Sequence, residues 1–445
     1  MMTIAETDPP RTEASGRCDR RAALGLVGMI LLSAVAVRAA YCVLVIPPGK
    51  GLTSAANDDA EYDGYALNLL NGRGMAYEDG RPSAQRLPGY PLFLAGVYGL
   101  FGHFYLAVRL IQCVIGAVSC LLLYLVMARW FSQRVGLVAA GILAVYPMHV
   151  WLSGELLSEN LTILGLLLIL LALCWARTGH GVGRWVLAGL AMAGAGLVHP
   201  IVAGAAMCLA GLTLALSIRT KPRRWPSALL MTTVLACPLL GWGVRNRIAV
   251  GGFVLSSDSG AVFLGANNVI TATDPRCHGY WVGQWEIPGV WEQIGGDHDE
   301  VTRSKLFWQF ALRWLWDHPR HWPGLAAHKL VRFYSPFLAE WRSVNGLVYL
   351  ASYGSLLPLM LAGLWGTWRR GWSADRHGVR LLLTVLTYYA VMVMIFWGAP
   401  RFRLTIEPLL IGLAAVGIVQ LASRLADRTA TTLPIRRWQL RAHNV

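Results

Sequence analysis

The chain has 445 residues, 55% of them hydrophobic and 14% charged, with a mean hydropathy of +0.48. A soluble domain carries about 25% charged residues, so a soluble globular class is excluded. The net charge of +15 raises a nucleic-acid reading, which its distribution along the chain removes.

Apolar windows long enough to cross a bilayer recur. Ten spans are expected, at about 22–46, 103–127, 135–152, 156–176, 185–199, 201–218, 225–244, 346–366, 380–397 and 404–423. The fifth is short, and His199-Pro200 separates it from the sixth as a breaker pair in a tight turn. With the N-terminus in the cytoplasm, the inside pieces are 1–21, 128–134, 177–184, 219–224, 367–380 and 424–445. They hold 21 of the 39 Lys/Arg but 6 of the 24 Asp/Glu, so the whole excess of +15 lies on one side. That is the positive-inside pattern, and it orients both termini inward.

The chain divides into a cytoplasmic N-tail (1–21), a transmembrane core (22–245), a large outer loop (246–345), C-terminal spans (346–423) and a basic tail (424–445). The first span is read as a retained anchor, because it is too long for a signal peptide and lacks a small-residue cleavage site. After it comes a first outer loop, 47–102, in which residues 57–74 read NDDAEYDGYALNLLNGRG. Asp58, Asp59, Glu61 and Asp63 fall within six positions. Tyr62, Tyr65, Ala66, Leu69 and Leu70 share one face of a helix too short to span, expected to lie flat on the membrane surface. Gly72 and Gly74 close it, and 91–101 forms a second interfacial apolar segment. Asp58 and Glu61 fit a capping box, which accounts for two carboxylates and not four.

Arginines accompany the acids. Arg38 and Arg109 lie inside apolar segments toward their outer ends, where a charge is a functional signal. Arg86 precedes LPGYP, Arg245 closes the seventh span in GWGVRN, and Arg401 and Arg403 sit in the turn APRFR. Their counter-anion is either the carboxylate cluster or a lipid phosphate, which arginine's planar fork suits. The second loop, 246–345, carries Trp281, Trp285, Trp291, Trp308, Trp314, Trp316, Trp322 and Trp341. Interfacial tryptophans with a small core are the simpler reading, and stacking on sugar rings is the other. Residues 301–317 and 322–334 show helical periodicity. The eight cysteines form neither a disulfide framework nor a CxxC pattern, and Cys277 alone is clearly outside. Carboxylates, arginines and aromatic surface on a membrane platform are the inventory for group transfer from a lipid-linked phosphate. A carboxylate takes the acceptor proton, and arginines meet charge on the departing phosphate.

Four blocks in order make the chain resemble bacterial membrane glycosyltransferases of the GT-C fold. These are relatives of dolichyl-phosphate-mannose–protein mannosyltransferases and of the lipid A aminoarabinose transferase. The blocks are DDAEYDGYALNLLNGRGM, RLPGYPLFLAGVYGLFG, GWGVRNRIAVGGFVLSSDSGAVFLGANN and RFRLTIEPLL, between about 58 and 415. The resemblance implies an all-α polytopic fold of about ten spans, with interfacial helices in the first loop and a small outer domain. It implies inverting transfer from a polyprenyl-phosphate sugar at the outer face of the bacterial cytoplasmic membrane. Asp58 takes the place of the family's catalytic aspartate, and Glu159 in LLSENL that of a second site acid. Arg86, Arg401 and Arg403 match basic positions at the donor phosphate, to which Arg245 is added by placement. Asp58 keeps the four-residue spacing to Tyr62; Asp59 and Glu61 remain alternatives as the base. Thr405 departs from the family's usual proline. No essential metal is expected, since no His/Cys ligand pattern accompanies the acids, although acidic loops bind divalent cations. The acceptor is left open among lipid, glycan and protein. A transporter or flippase is the rival reading. It would place charges near the midplane and show internal repeats.

Overall fold

A computed structural model describes residues 11–47, 52, 58–178, 181–294, 297–337, 342–369 and 375–432. The tail residues 1–10 and 433–445, Trp341, and the side chains of 11–22, Cys18 among them, lie outside the described residues.

Helix α1 (Arg11–Ala40) runs on as a π-turn over Tyr41–Val45. The first loop forms α2 (Asp58–Leu70) and α3 (Gly89–Phe101). The bundle continues through α4 (Tyr105–Trp130), α5 (Gln133–Val145), α6 (Pro147–Leu152) and α7 (Glu159–Ala176). Next come α8 (Val182–Val198), α9 (Pro200–Thr220) and α10 (Trp225–Val250). The second loop holds α11 (Ser259–Ala266), α12 (Val269–Thr273), α13 (Val290–Ile294), α14 (Glu300–Asp317) and α15 (Trp322–Tyr334). The chain ends with α16 (Val344–Tyr349), α17 (Ser355–Arg369), α18 (Arg376–Ile395), α19 (Pro400–Arg403) and α20 (Glu407–Thr432). Among the described residues the only strand-like pairing is one isolated bridge, Ala76 with Pro82. The protein is an all-α, multi-pass membrane protein.

Among the described residues, eight helices are long and apolar enough to cross a membrane: Ala23–Val45, α4, α7, α9, α10, Val344–Arg369, α18 and Glu407–Asp427. The expected ten is close to this count, and two of the ten are shorter apolar helices. The third and fifth expected spans are α5, with 13 residues, and α8, with 17. At 1.5 Å per residue, α5 covers about 20 Å of a core about 30 Å thick. Proline sets both breaks. Tyr146 is extended (φ −66°, ψ 118°) ahead of Pro147, and His199 is extended (φ −149°, ψ 135°) ahead of Pro200. Apolar residues flank the first break, so the 135–152 window runs straight across Pro147, whereas the second break falls at the expected His199-Pro200 turn.

A broken helix end inside apolar surroundings leaves carbonyls without partners. Arg38 serves them: its Nη1 donates to Ala144 O at 2.6 Å and its Nη2 to Leu143 O at 3.0 Å, both on the last turn of α5. Arg109 likewise donates through Nε to Gly154 O at 2.9 Å. These two intramembrane arginines hold backbone together.

Close helix packing rests on glycine. A Cβ on Gly363 of α17 would overlap the Leu413 carbonyl, and one on Gly417 of α20 would overlap the Leu359 carbonyl. Backbone cannot move aside as a side-chain tip can. Gly363→Ala is therefore expected to cost about 1–3 kcal/mol, seen as a lower melting temperature of the purified chain. Gly194→Ala, where a Cβ meets nothing within 4 Å, is the control and should leave it unchanged.

The second loop has its own core of Phe263, Leu264, Val290, Phe307, Ala311 and Leu315. Its tryptophans divide: Trp308 stacks on Phe263 with ring centroids 3.9 Å apart, whereas Trp285 and Trp316 are 63% and 81% exposed. The N-terminal ends of α7, α9 and α20 and the C-terminal ends of α8, α10 and α18 meet the two loops at one end of the bundle. Arg129, Arg134, Arg177, Arg184, Arg219 and Arg376 border turns at the other.

Candidate active site

The loop end of the bundle gathers acid and arginine from five segments. Asp58 is the first helical residue of α2 rather than its cap, and its carboxylate reaches away from the helix. Arg86 donates to Asp58 Oδ1 at 2.7 Å, and Arg401 Nη1 lies 2.8 Å from Asp58 Oδ2. Glu61, one turn on, accepts from Arg86 Nε at 2.7 Å. Asp258, just ahead of α11, takes the third side of Arg86 at 3.4 Å. Arg401 also pairs through Nε with Glu159 Oε1, at the start of α7. Tyr62 lies under Arg86, the guanidinium carbon 5.6 Å from the ring centroid, and donates to Ser158 Oγ at 3.2 Å.

This makes a chain of charges, Asp258–Arg86–Asp58–Arg401–Glu159, with Glu61 at its side. Burial works against the charge of both arginines, and the surrounding carboxylates outweigh it, so both are held above the ordinary arginine range. Burial pushes the Glu61 and Asp258 carboxyls up, against the pull of Arg86. His199 adjoins the cluster; burial lowers its ring to about 4, and its Nδ1 accepts from Ile201 N at 3.2 Å. It is therefore neutral and caps α9.

Other expected site residues lie elsewhere. Asp59, about 100° further round α2, is 3% exposed and accepts from Ala60 N at 2.9 Å. Asp63 accepts from Tyr98 Oη at 2.6 Å and lies 2.9 Å from His103 Nε2, which ties α2 to the turn after α3. Arg245, expected at the donor phosphate, is engaged with backbone. Its guanidinium donates to Ser83 O at 2.6 Å and Met75 O at 2.8 Å, holding the first loop in place. Arg403, also expected there, is fully buried and donates to Glu407 Oε1 at 3.0 Å and Phe333 O at 2.5 Å. The partners of both guanidiniums are backbone carbonyls or a buried acid, and neither is paired with Asp58.

Sequence reasoning missed Asp258 and His199. Asp258 sat in the serine-rich turn SSDSG ahead of an apolar helix, where an acid reads as an ordinary helix start. Beside Glu61 a cavity of about 1210 Å³ opens between the two loops, lined by Tyr65, Tyr77, Gln85, Glu300 and Arg303 among others. A smaller one of about 200 Å³ reaches Asp258 and shares Tyr77, Gln85, Glu300 and Arg303 with it. Among the described residues, no three His, Cys, Asp or Glu side chains are placed to hold a metal ion.

Residues 82–242, about a third of the chain, match the family described as dolichyl-phosphate-mannose-protein mannosyltransferase. The fold is similar to that of the archaeal oligosaccharyltransferase AglB from Archaeoglobus fulgidus, solved with an inhibitory peptide and a dolichol-phosphate. That similarity has a TM-score of 0.55 at 14% identity and covers 93% of this chain and 52% of that one. The chain thus spans about half the length of that enzyme. The apo form of the same oligosaccharyltransferase gives a TM-score of 0.52 at 14% identity, over 91% of this chain and 51% of that one. ArnT from Cupriavidus metallidurans, bound to undecaprenyl phosphate, gives 0.42 at 16% identity, over 92% and 81%. Comparison with curated proteins finds no match.

Proposed function

We propose that this chain moves a sugar from a polyprenyl-phosphate donor to a hydroxyl acceptor, with inversion, using Asp58 as the base. The observation that carries the reading is the Asp58 carboxylate held between two guanidiniums, at 2.7 Å from Arg86 and 2.8 Å from Arg401. An anion between two arginines marks the place where a second anion can compete for them. The donor phosphate takes guanidinium hydrogen bonds that Asp58 otherwise holds. Asp58, so released, accepts the proton of the acceptor hydroxyl. The acceptor oxygen bonds to the anomeric carbon as the carbon–phosphate oxygen bond breaks, and the electron pair leaves with the phosphate. Attack opposite the leaving group inverts the anomeric centre. Arg86 and Arg401 meet the charge on the departing phosphate. The reading uses no metal. The likeness to an oligosaccharyltransferase solved with a dolichol-phosphate supports a lipid-phosphate donor. Acceptor reaches Asp58 past Glu61, through the cavity between the loops.

The test is purified full-length chain with a synthetic polyprenyl-phosphate hexose and a panel of hydroxyl acceptors. Release of polyprenyl phosphate with formation of the opposite anomer is the expected result. Absence of release across donor sugars overturns the reading.

The site end is assigned to the exterior of a bacterial cytoplasmic membrane, on the strength of the basic turns at the opposite end. In intact cells Cys277, half-buried in the second loop, is expected to react with a membrane-impermeant thiol reagent, whereas Cys18 is not. Labelling of Cys18 alone would reverse the orientation.

A further inference from the structure

Arg401 and Arg403 share α19, a helix of four residues. Their side chains go to different places. Arg401 meets Asp58 and Glu159, whereas Arg403 enters a buried polar cluster that the proposed reaction does not use. There Arg403 donates to Glu407 at 3.0 Å, and its guanidinium carbon lies 3.4 Å from the centre of the Tyr353 ring. Glu407 Oε2 lies 3.4 Å from His149 Nε2, on α6. Arg403 also donates to Phe333 O and Ser335 O, at the end of α15. Arg403, Glu407 and His149 are 0%, 1% and 5% exposed.

A one-turn helix does not hold itself together in isolation. The preceding residue, Ala399, offers α19 no side-chain cap. Something outside it must set the direction of Arg401. Gly398, just before it, donates to Gly279 O at 3.1 Å and lies against the Lys329 backbone with no room for a Cβ. Just after it stands the Arg403–Glu407 pair. A buried ion pair is a poor source of stability, because desolvating both charges offsets their attraction, and its best-attested use is to fix register. This pair is also incompletely served. Arg403 Nη2, Glu407 Oε2 and His149 Nε2 are buried without hydrogen-bond partners, as are the hydroxyls of Tyr146 and Tyr353. Apolar side chains of the same volume would pack there without that desolvation.

We infer that Arg403 and Glu407, seated on Tyr353, are positioning residues that aim Arg401 between Asp58 and Glu159. The inference rests on the transfer reading above. In it, Arg401 contacts the donor phosphate and Arg403 acts only through Arg401.

The test is a double-mutant cycle in the full-length chain, with kcat and KM for one synthetic polyprenyl-phosphate hexose and a count of folded molecules. Arg403→Lys keeps the charge opposite Glu407 and loses the fork. A misdirected Arg401 should lower kcat per folded molecule by up to about 10²-fold. On an Arg401→Ala background the same Arg403→Lys change should cost nothing further. The paired change Arg403→Met with Glu407→Leu removes both charges together, so a folded chain with lowered kcat is expected. Full loss from Arg403→Lys on the Arg401→Ala background overturns the inference. So does a wild-type kcat per folded molecule in Arg403→Lys or in the paired variant, which would leave Arg403 a role in stability alone. A wild-type chain with no transfer at all overturns the transfer reading and this inference with it. An active chain with additive losses overturns only the inference.

Discussion

Asp58→Asn is expected to lower transfer about 10²- to 10⁴-fold, the usual contribution of a general base. The same change should leave the chain folded and tighten its hold on a polyprenyl phosphate. The contacts dictate both outcomes. Arg86 keeps Glu61 and Asp258, and Arg401 keeps Glu159, so neither guanidinium is stranded when Asp58 loses its charge. The amide no longer competes with the phosphate for them, and it cannot take a proton. A residue that only stabilised α2 would lower melting temperature and leave donor affinity alone. Donor affinity is read from quenching of tryptophan fluorescence by polyprenyl phosphate, and transfer from release of the lipid. Wild-type transfer by Asp58→Asn would pass the base role to Glu61, which lines the acceptor cavity from the same face of α2.

Arg401→Ala is expected to lower kcat about 10²- to 10³-fold, the scale for removing one group that meets charge in the transition state. It also leaves Glu159, 4% exposed, without its cation. Removing one partner of a buried pair costs about 3–5 kcal/mol, less here because Arg401 is a quarter exposed. Lost stability and lost chemistry would then look alike. The double variant Arg401→Ala with Glu159→Gln separates them. Neutralising Glu159 should restore much of the melting temperature and none of the transfer. Recovery of transfer in the double variant would show that Arg401 serves only to neutralise Glu159. Arg401→Lys should recover part of the rate, since a point charge lacks the fork.

Much of this site was legible before any coordinates. Asp58 and Glu61 stand three apart on one helical face, and Arg86 and Arg401 had no topological purpose in short turns outside the basic side. Asp59 and Asp63 looked equivalent to them because a run of acids shows composition and not direction. One residue of helix turns a side chain by about 100°, which is enough to bury Asp59 and to send Asp63 to Tyr98.

Hydropathy and charge placement determined the membrane class and the clustering of basic turns at one end of the bundle. Both are local quantities, summed over neighbours along the chain. The tertiary structure decided which charges meet. Arg86 and Asp258 are 172 residues apart in sequence, and Arg401 and Glu159 are 242 apart. Arg38, Arg109, Arg245 and Arg403 carry the same fork as Arg86 and Arg401, yet each spends it on backbone carbonyls or a buried acid. A guanidinium in apolar surroundings takes whatever acceptor the fold brings within reach. For Arg38 that acceptor is the end of a helix broken at Pro147, and for Arg86 and Arg401 it is the Asp58 carboxylate. Residue type marks an arginine as needing a partner, and only the packing of distant helices supplies one.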